Sequence, residues 1–214
     1  MLRPELADVR GIVFDLDGTL VDTFGDLQAA ANHVRGLLGL RGVPVEEVRR
    51  HVGRGVGSLI RGVLPGAPPD AIESLAREFV RYYGRHALDT TRPYPGVEEA
   101  LRALAGMPLA VLSNKPEAET RAILAGLGLS GHFAAVFGGD SLGVMKPDPA
   151  ALVAAVHALH VPAARSLMVG DSDVDIETAR GAGIRVVRVA TGLADSSVLA
   201  PDLEVADLRG LLYP

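Results

Sequence analysis

The chain has 214 residues, 48% of them hydrophobic, with no cysteine, no tryptophan and a formal net charge of −5. Such a chain can bury a sizeable core, which excludes a disordered or disulfide-framed protein and a thiolate metal site; its acidity and few aromatics argue against nucleic-acid binding. No apolar run approaches the roughly 20 residues of a membrane helix, and Met1 to Arg10 carries both signs of charge without a signal-like stretch, so a cytoplasmic protein with no membrane partner is expected.

In chain order, residues 9–14 form a first apolar strand that ends in Asp15-Leu16-Asp17-Gly18-Thr19. If extended geometry persists through Asp17, the two carboxylates share a face, and a pair of neighbouring anions calls for a cation or a proton. Gly18 allows a sharp turn. From Asp22 to about Leu40 a helical period carries Leu27, Ala30, Ala31, Val34, Leu37 and Leu38, with Asp22 or Thr23 as N-cap. Pro44 opens a further helix, and a Gly-rich loop, His51 to Ser58, follows. Leu59 to Leu64 and Pro69 to about His86 read as helices, so residues 22–90 are all-helical.

The character changes at Arg92. Helices at 97–105, 116–127, 149–160 and 173–182 alternate with strands at 109–112, 134–137, 166–169, 184–189 and, weakly, 203–205. Such alternation predicts right-handed crossovers and a parallel sheet. The expected fold is therefore α/β, a Rossmann-like parallel core interrupted after its first strand by an inserted all-helical cap. The division is 1–20 and 91–214 for the core and 21–90 for the cap.

Sites in such sheets form beyond the carboxyl ends of the strands. Asp15 and Asp17 follow the first strand and Ser113-Asn114-Lys115 the second. Ser113 and Asn114 can either hold phosphate oxygens or cap the helix behind Pro116. Lys146, fixed by Pro147, follows the third strand; it is either a solvated loop lysine or a counter-charge for a phosphate and a nucleophilic carboxylate. Only two of the 21 basic residues are lysine, Lys115 and Lys146, and both stand beside turns after apolar runs. The fourth strand is followed by Asp171, Asp173 and Asp175, a concentration of the hard oxygen ligands that magnesium prefers. Asp171 is the best ligand candidate. Asp175 suits an orienting role and a capping box with Ser172. Arg54, in the Gly-rich loop, is either solvated or a fork for a substrate carboxylate.

The order of these features, acid pair, hydroxyl, lysine, acid cluster, is similar to the four motifs of the haloacid dehalogenase superfamily. Thr19-Leu20-Val21-Asp22, Pro93-Tyr94-Pro95-Gly96-Val97, Ser113-Asn114-Lys115-Pro116, Lys146-Pro147-Asp148-Pro149 and Val169-Gly170-Asp171-Ser172 resemble its phosphoglycolate phosphatase subfamily. That subfamily often has Arg-Asn-Asp where this chain has Asp173-Val174-Asp175, and many members have Thr at Ser113. The resemblance implies a helical cap and a specificity loop at Val52-Gly53-Arg54-Gly55. It also implies a Mg2+-dependent phosphatase acting on a small phosphorylated metabolite, 2-phosphoglycolate above others. In that scheme Asp15 is the nucleophile, Asp17 the acid and base, and Lys146 the third catalytic residue. Thr19, Ser113, Asn114 and Arg54 bind substrate; Asp15, Asp171 and the Asp17 carbonyl bind metal; Asp175 supports them. A dehalogenase is disfavoured because those relatives lack the acid at position 17. A phosphomutase, a pyrophosphatase or nucleotidase of the same superfamily, and a non-catalytic phospho-ligand binder are the alternatives.

Overall fold

In the computed structural model, which describes residues 1–193 and 198–213, the innermost strand is β1, Gly11–Phe14, buried throughout. A β-branched and aromatic run covered on both faces is what the middle of a parallel sheet requires. Its neighbours are β4, Leu109–Leu112, and β6, Ser166–Gly170. Ile12 stands opposite Leu109 on one side and Leu167 on the other. The sheet is completed by β5 (Ala135–Phe137), β7 (Arg185–Val189) and β8 (Leu203–Val205), in the order β5-β4-β1-β6-β7-β8, with every pairing parallel. Residues 194–197 and 214, assigned to the core by the sequence, lie outside the described residues.

The alternation of strand side chains builds two cores. Ile12, Phe14, Val111 and Val169 join the larger cluster, together with helices α5 (Val97–Ala103) and α6 (Glu117–Gly126). Val13, Ala110, Leu112 and Met168 face the opposite way, against α7 (Pro149–Ala158) and α8 (Asp173–Gly181). The sheet is thus sandwiched between helical layers, the α/β arrangement expected from the alternation of elements.

Just after β1 the chain leaves the sheet through β2 (Val21–Asp22) and returns through β3 (Arg92–Pro93), which pair antiparallel as a two-stranded stem. Between them lie α1 (Phe24–Leu37), α2 (Val45–Arg49), α3 (Val56–Val63) and α4 (Pro69–His86). α1 ends before the predicted boundary: Leu37 and Leu38 are exposed, and Gly39 takes a left-handed conformation (φ 68°) that stops the helix. The stem is secured by Asp26 of α1, which accepts hydrogen bonds from the backbone N–H and the hydroxyl of both Thr90 and Thr91.

Candidate active site

The β1 ladder closes with Asp15 N–H donating to the Val169 carbonyl, 2.9 Å. Beyond it the chain turns tightly, with Gly18 N–H to Val21 O at 2.9 Å and Leu20 N–H to Leu16 O at 3.0 Å. Leu16 is wholly buried in the core while Asp15 and Asp17 line one cavity, so the side-chain alternation read from the sequence continues past the end of the strand. Gly18 has φ +89°, and a Cβ there would collide with Asp171; an L side chain is excluded twice over.

Lys146 is the hub. Its Nζ lies 2.7 Å from Asp15 Oδ1 and 2.7 Å from Asp175 Oδ1, all three side chains being buried. Burial weakens a lysine's charge, but the two carboxylates outweigh it and hold Lys146 above the ordinary lysine value. For Asp15 burial prevails: it pushes the carboxyl up to about 7 against the pull of Lys146, aided by the Asp175 charge. Asp171 is raised as well, first by burial and then by repulsion from Asp15 and Asp175. Carboxylate oxygens of Asp15, Asp171 and Asp175 lie within 4.8 Å of one another. Three buried carboxylates against one ammonium leave negative charge in surplus, and all the donors are hard oxygens, so the donor set fits a divalent cation such as magnesium.

The remaining polar groups are arranged around this centre. Thr19 donates from its hydroxyl to Asp171 Oδ1 at 3.1 Å, and Leu193 N–H donates to Asp171 Oδ2 at 2.5 Å. Asp175 Oδ2 accepts from the Ser172 N–H and hydroxyl, the Asp175 half of the capping box expected at α8. Ser113 is buried and lines the cavity; its Oγ accepts from Lys115 N–H at 3.2 Å. Asn114 also lines the cavity, but its amide is committed to backbone. It donates to Gly53 O at 2.8 Å and Lys146 O at 2.7 Å and accepts from Lys146 N–H at 2.9 Å.

Two residues sit differently from expectation. Arg54 is exposed and faces Glu177 at 3.6 Å, outside the cavity lining. The flanking Gly53 and Gly55 are both left-handed; they and Val52 line the cavity while Arg54 points away from it. Thr23 occupies the N-cap position of α1 without capping it, its backbone being helical rather than extended (φ −105°, ψ −1°); its hydroxyl donates to Asp17 Oδ1 at 2.5 Å, and Asp22, the other candidate, accepts from Phe24 N–H through Oδ1 at 3.2 Å. The start of α6 is likewise served from elsewhere, by Asp140 accepting from Glu117 N–H at 2.8 Å. Three contributors went unread in the sequence: the turn 191–193 against Gly18 and Asp171, Tyr83 of α4, and Glu119 of α6, both lining the cavity. No local motif marks them: the turn and Tyr83 reach the site from distant elements, and Glu119 is an ordinary acidic residue in the first turn of α6.

Comparison with known proteins agrees with this geometry. Residues 9–183 match the family model of the haloacid dehalogenase-like hydrolases. The chain is 39% identical to a phosphoglycolate phosphatase of Neisseria gonorrhoeae, covering 94% of this chain and 88% of that protein. It is 42% identical to the plasmid-encoded phosphoglycolate phosphatase of Cupriavidus necator, covering 94% and 90%. The solved structure of a predicted phosphoglycolate phosphatase from Haemophilus somnus superposes with a TM-score of 0.86 at 32% identity, covering 94% of this chain and 96% of that one. The chain belongs to the haloacid dehalogenase-like hydrolase family. Within that family it resembles the phosphoglycolate phosphatases and is a phosphoric monoester hydrolase.

Proposed function

We propose that the chain is a magnesium-dependent phosphatase that hydrolyses 2-phosphoglycolate in the cytoplasm through an aspartyl-phosphate at Asp15. Residues 1–20 and 91–214 would form the catalytic body and residues 21–90 a cap over it. The observation that carries this reading is the Lys146 bridge: a buried ammonium 2.7 Å from the Asp15 carboxylate at the carboxyl end of the central strand, with Asp171 beside it. The relatives' names supply the substrate. No helix among the described residues is long and apolar enough to cross a membrane.

In this mechanism an Asp15 oxygen attacks phosphorus opposite the ester oxygen. As the new bond forms, the ester P–O bond breaks, and Asp17 gives its proton to the departing alkoxide. Asp17 then takes a proton from the water that cleaves the aspartyl-phosphate, which releases inorganic phosphate and restores Asp15. Lys146 and the Ser113 hydroxyl hold phosphoryl oxygens, placing fixed positive charge and a donor where negative charge accumulates. A divalent ion held by Asp15, Asp171 and the Asp17 carbonyl would supply further positive charge to the phosphoryl group.

Acid quenching after mixing with substrate carrying a radiolabelled phosphoryl group tests the covalent step. The wild-type chain is expected to retain label at Asp15, and Asp15→Asn to retain none and release no phosphate. Full turnover by Asp15→Asn would exclude the covalent route.

A further inference from the structure

Lys115 is the second of the two lysines and has no part in the scheme above. It is buried, follows β4, and reaches the cavity on the side of Asp17. Its Nζ lies 3.0 Å from Asp17 Oδ1 and 3.0 Å from the Tyr83 hydroxyl, and it stands 4.3 Å from the centre of the Tyr83 ring. Burial opposes its charge, yet Asp17 and Tyr83 more than restore it.

The cavity around it is sharply divided. Leu27, Val56, Leu59, Phe79 and Val80 give it an apolar wall. Among the described residues lining it, Lys115 and Lys146 are the cations, and Lys146 is already shared between Asp15 and Asp175. The leaving-group side therefore has one ammonium, held between Asp17 and an aromatic ring of α4. Glu119 Oε2, buried in the same lining without a hydrogen-bond partner, disfavours an anion on its own side. In 2-phosphoglycolate a single methylene separates the ester oxygen from the carboxylate. A substrate whose ester oxygen meets Asp17 thus brings its carboxylate to the neighbourhood of Lys115 Nζ.

Resting on the phosphatase reading above, we propose that Lys115 is the specificity residue for the substrate carboxylate: on binding it exchanges Asp17 for that carboxylate, and Asp17 then faces the ester oxygen without a competing ion pair. The substrate class is a phosphomonoester with a carboxylate one carbon from the ester oxygen. An ammonium is suited to this exchange because it is a point charge on a flexible stem. Tyr83 keeps a ring and a hydroxyl against it in either arrangement.

The test compares 2-phosphoglycolate with 2-hydroxyethyl phosphate, which has a neutral hydroxymethyl group in place of the carboxylate, in the wild type, Lys115→Met and Lys115→Gln. The wild type is expected to prefer 2-phosphoglycolate. Both variants are expected to lose roughly 10- to 150-fold in kcat/KM on it, mostly through KM, the range for one charge-assisted hydrogen bond. Their loss on the hydroxymethyl analogue is expected to be smaller by at least about tenfold, since it lacks the charge-assisted hydrogen bond. Equal losses on both substrates, with the preference intact, would overturn the role of Lys115 and leave the phosphatase reading standing. A wild type that hydrolyses both esters equally well, or neither, would overturn the substrate reading and the inference together. If neither variant folds, inhibition of the wild type decides: glycolate is expected to compete with substrate far better than ethylene glycol, and parity between them contradicts the proposal.

Discussion

At the scale of single residues the site depends on compensated charge. Lys146 is the one ammonium shared by two buried carboxylates, so its removal leaves Asp15 and Asp175 without that counter-charge. Lys146→Met is expected to destabilise the fold by about 3–5 kcal/mol, read as a lowered urea midpoint with an unchanged slope; an unchanged midpoint would show that the bridge contributes nothing to stability. Asp17 carries a different expectation. Asp17→Asn keeps the shape and removes the proton carrier, and phosphate release is expected to fall about 10²–10⁴-fold. Unaltered turnover in that variant would show that another group moves the proton.

Among the elements, two clasps tie the helical segment to the sheet. At the stem, burial pushes Asp26 up, but the donors from Thr90 and Thr91 outweigh it and hold the carboxyl below the ordinary aspartate value. Because the folded value is depressed, the stabilisation is fully present above the unfolded value of about 4 and is lost as pH falls through the folded one. Asp26→Asn is expected to cost about 1.5–3 kcal/mol at pH 7, measured by urea unfolding. Its deficit against the wild type is expected to shrink below about pH 4; a deficit that grows on acidification would contradict the assignment. The second clasp is Asn114, whose amide joins Gly53 of the Gly-rich loop to the backbone of Lys146. Asn114→Ala leaves these groups unpaired and is expected to cost about 1–3 kcal/mol and to raise KM. Full stability with normal KM would mean that the loop and the Lys146 segment are held independently.

Across the whole molecule, what was legible in the sequence followed from periodicity and from punctuation. The apolar runs at β1, β4 and β6 end in polar residues because a parallel sheet buries its strands and exposes their carboxyl ends. That placed Asp15, Asp17, Ser113, Lys146 and Asp171 at the carboxyl edge of the sheet, and the long helical stretch that lies between β2 and β3 was equally plain. Pairings across distant elements were not legible. The contact of Lys115 with Tyr83 joins a sheet terminus to α4, and the turn at 191–193 meets Gly18 after most of the chain has intervened. The two readings of Arg54 could not be separated in the sequence because spacing locates a residue in a loop without fixing which way its side chain leaves the backbone. Of the two N-cap candidates at α1, Asp22 accepts from Phe24 N–H, and the local pattern could not reveal that the Thr23 hydroxyl is directed to Asp17.

The central claim, a metal-dependent phosphatase for a small carboxylated ester, is tested most directly by phosphate release from a panel of phosphorylated compounds. The panel holds 2-phosphoglycolate, pyrophosphate, nucleoside monophosphates and sugar phosphates, assayed with magnesium and again after a chelator. The account predicts release from 2-phosphoglycolate well above the others, abolished by the chelator and restored by magnesium. Release indifferent to the chelator, or none from any compound on the panel, would contradict it.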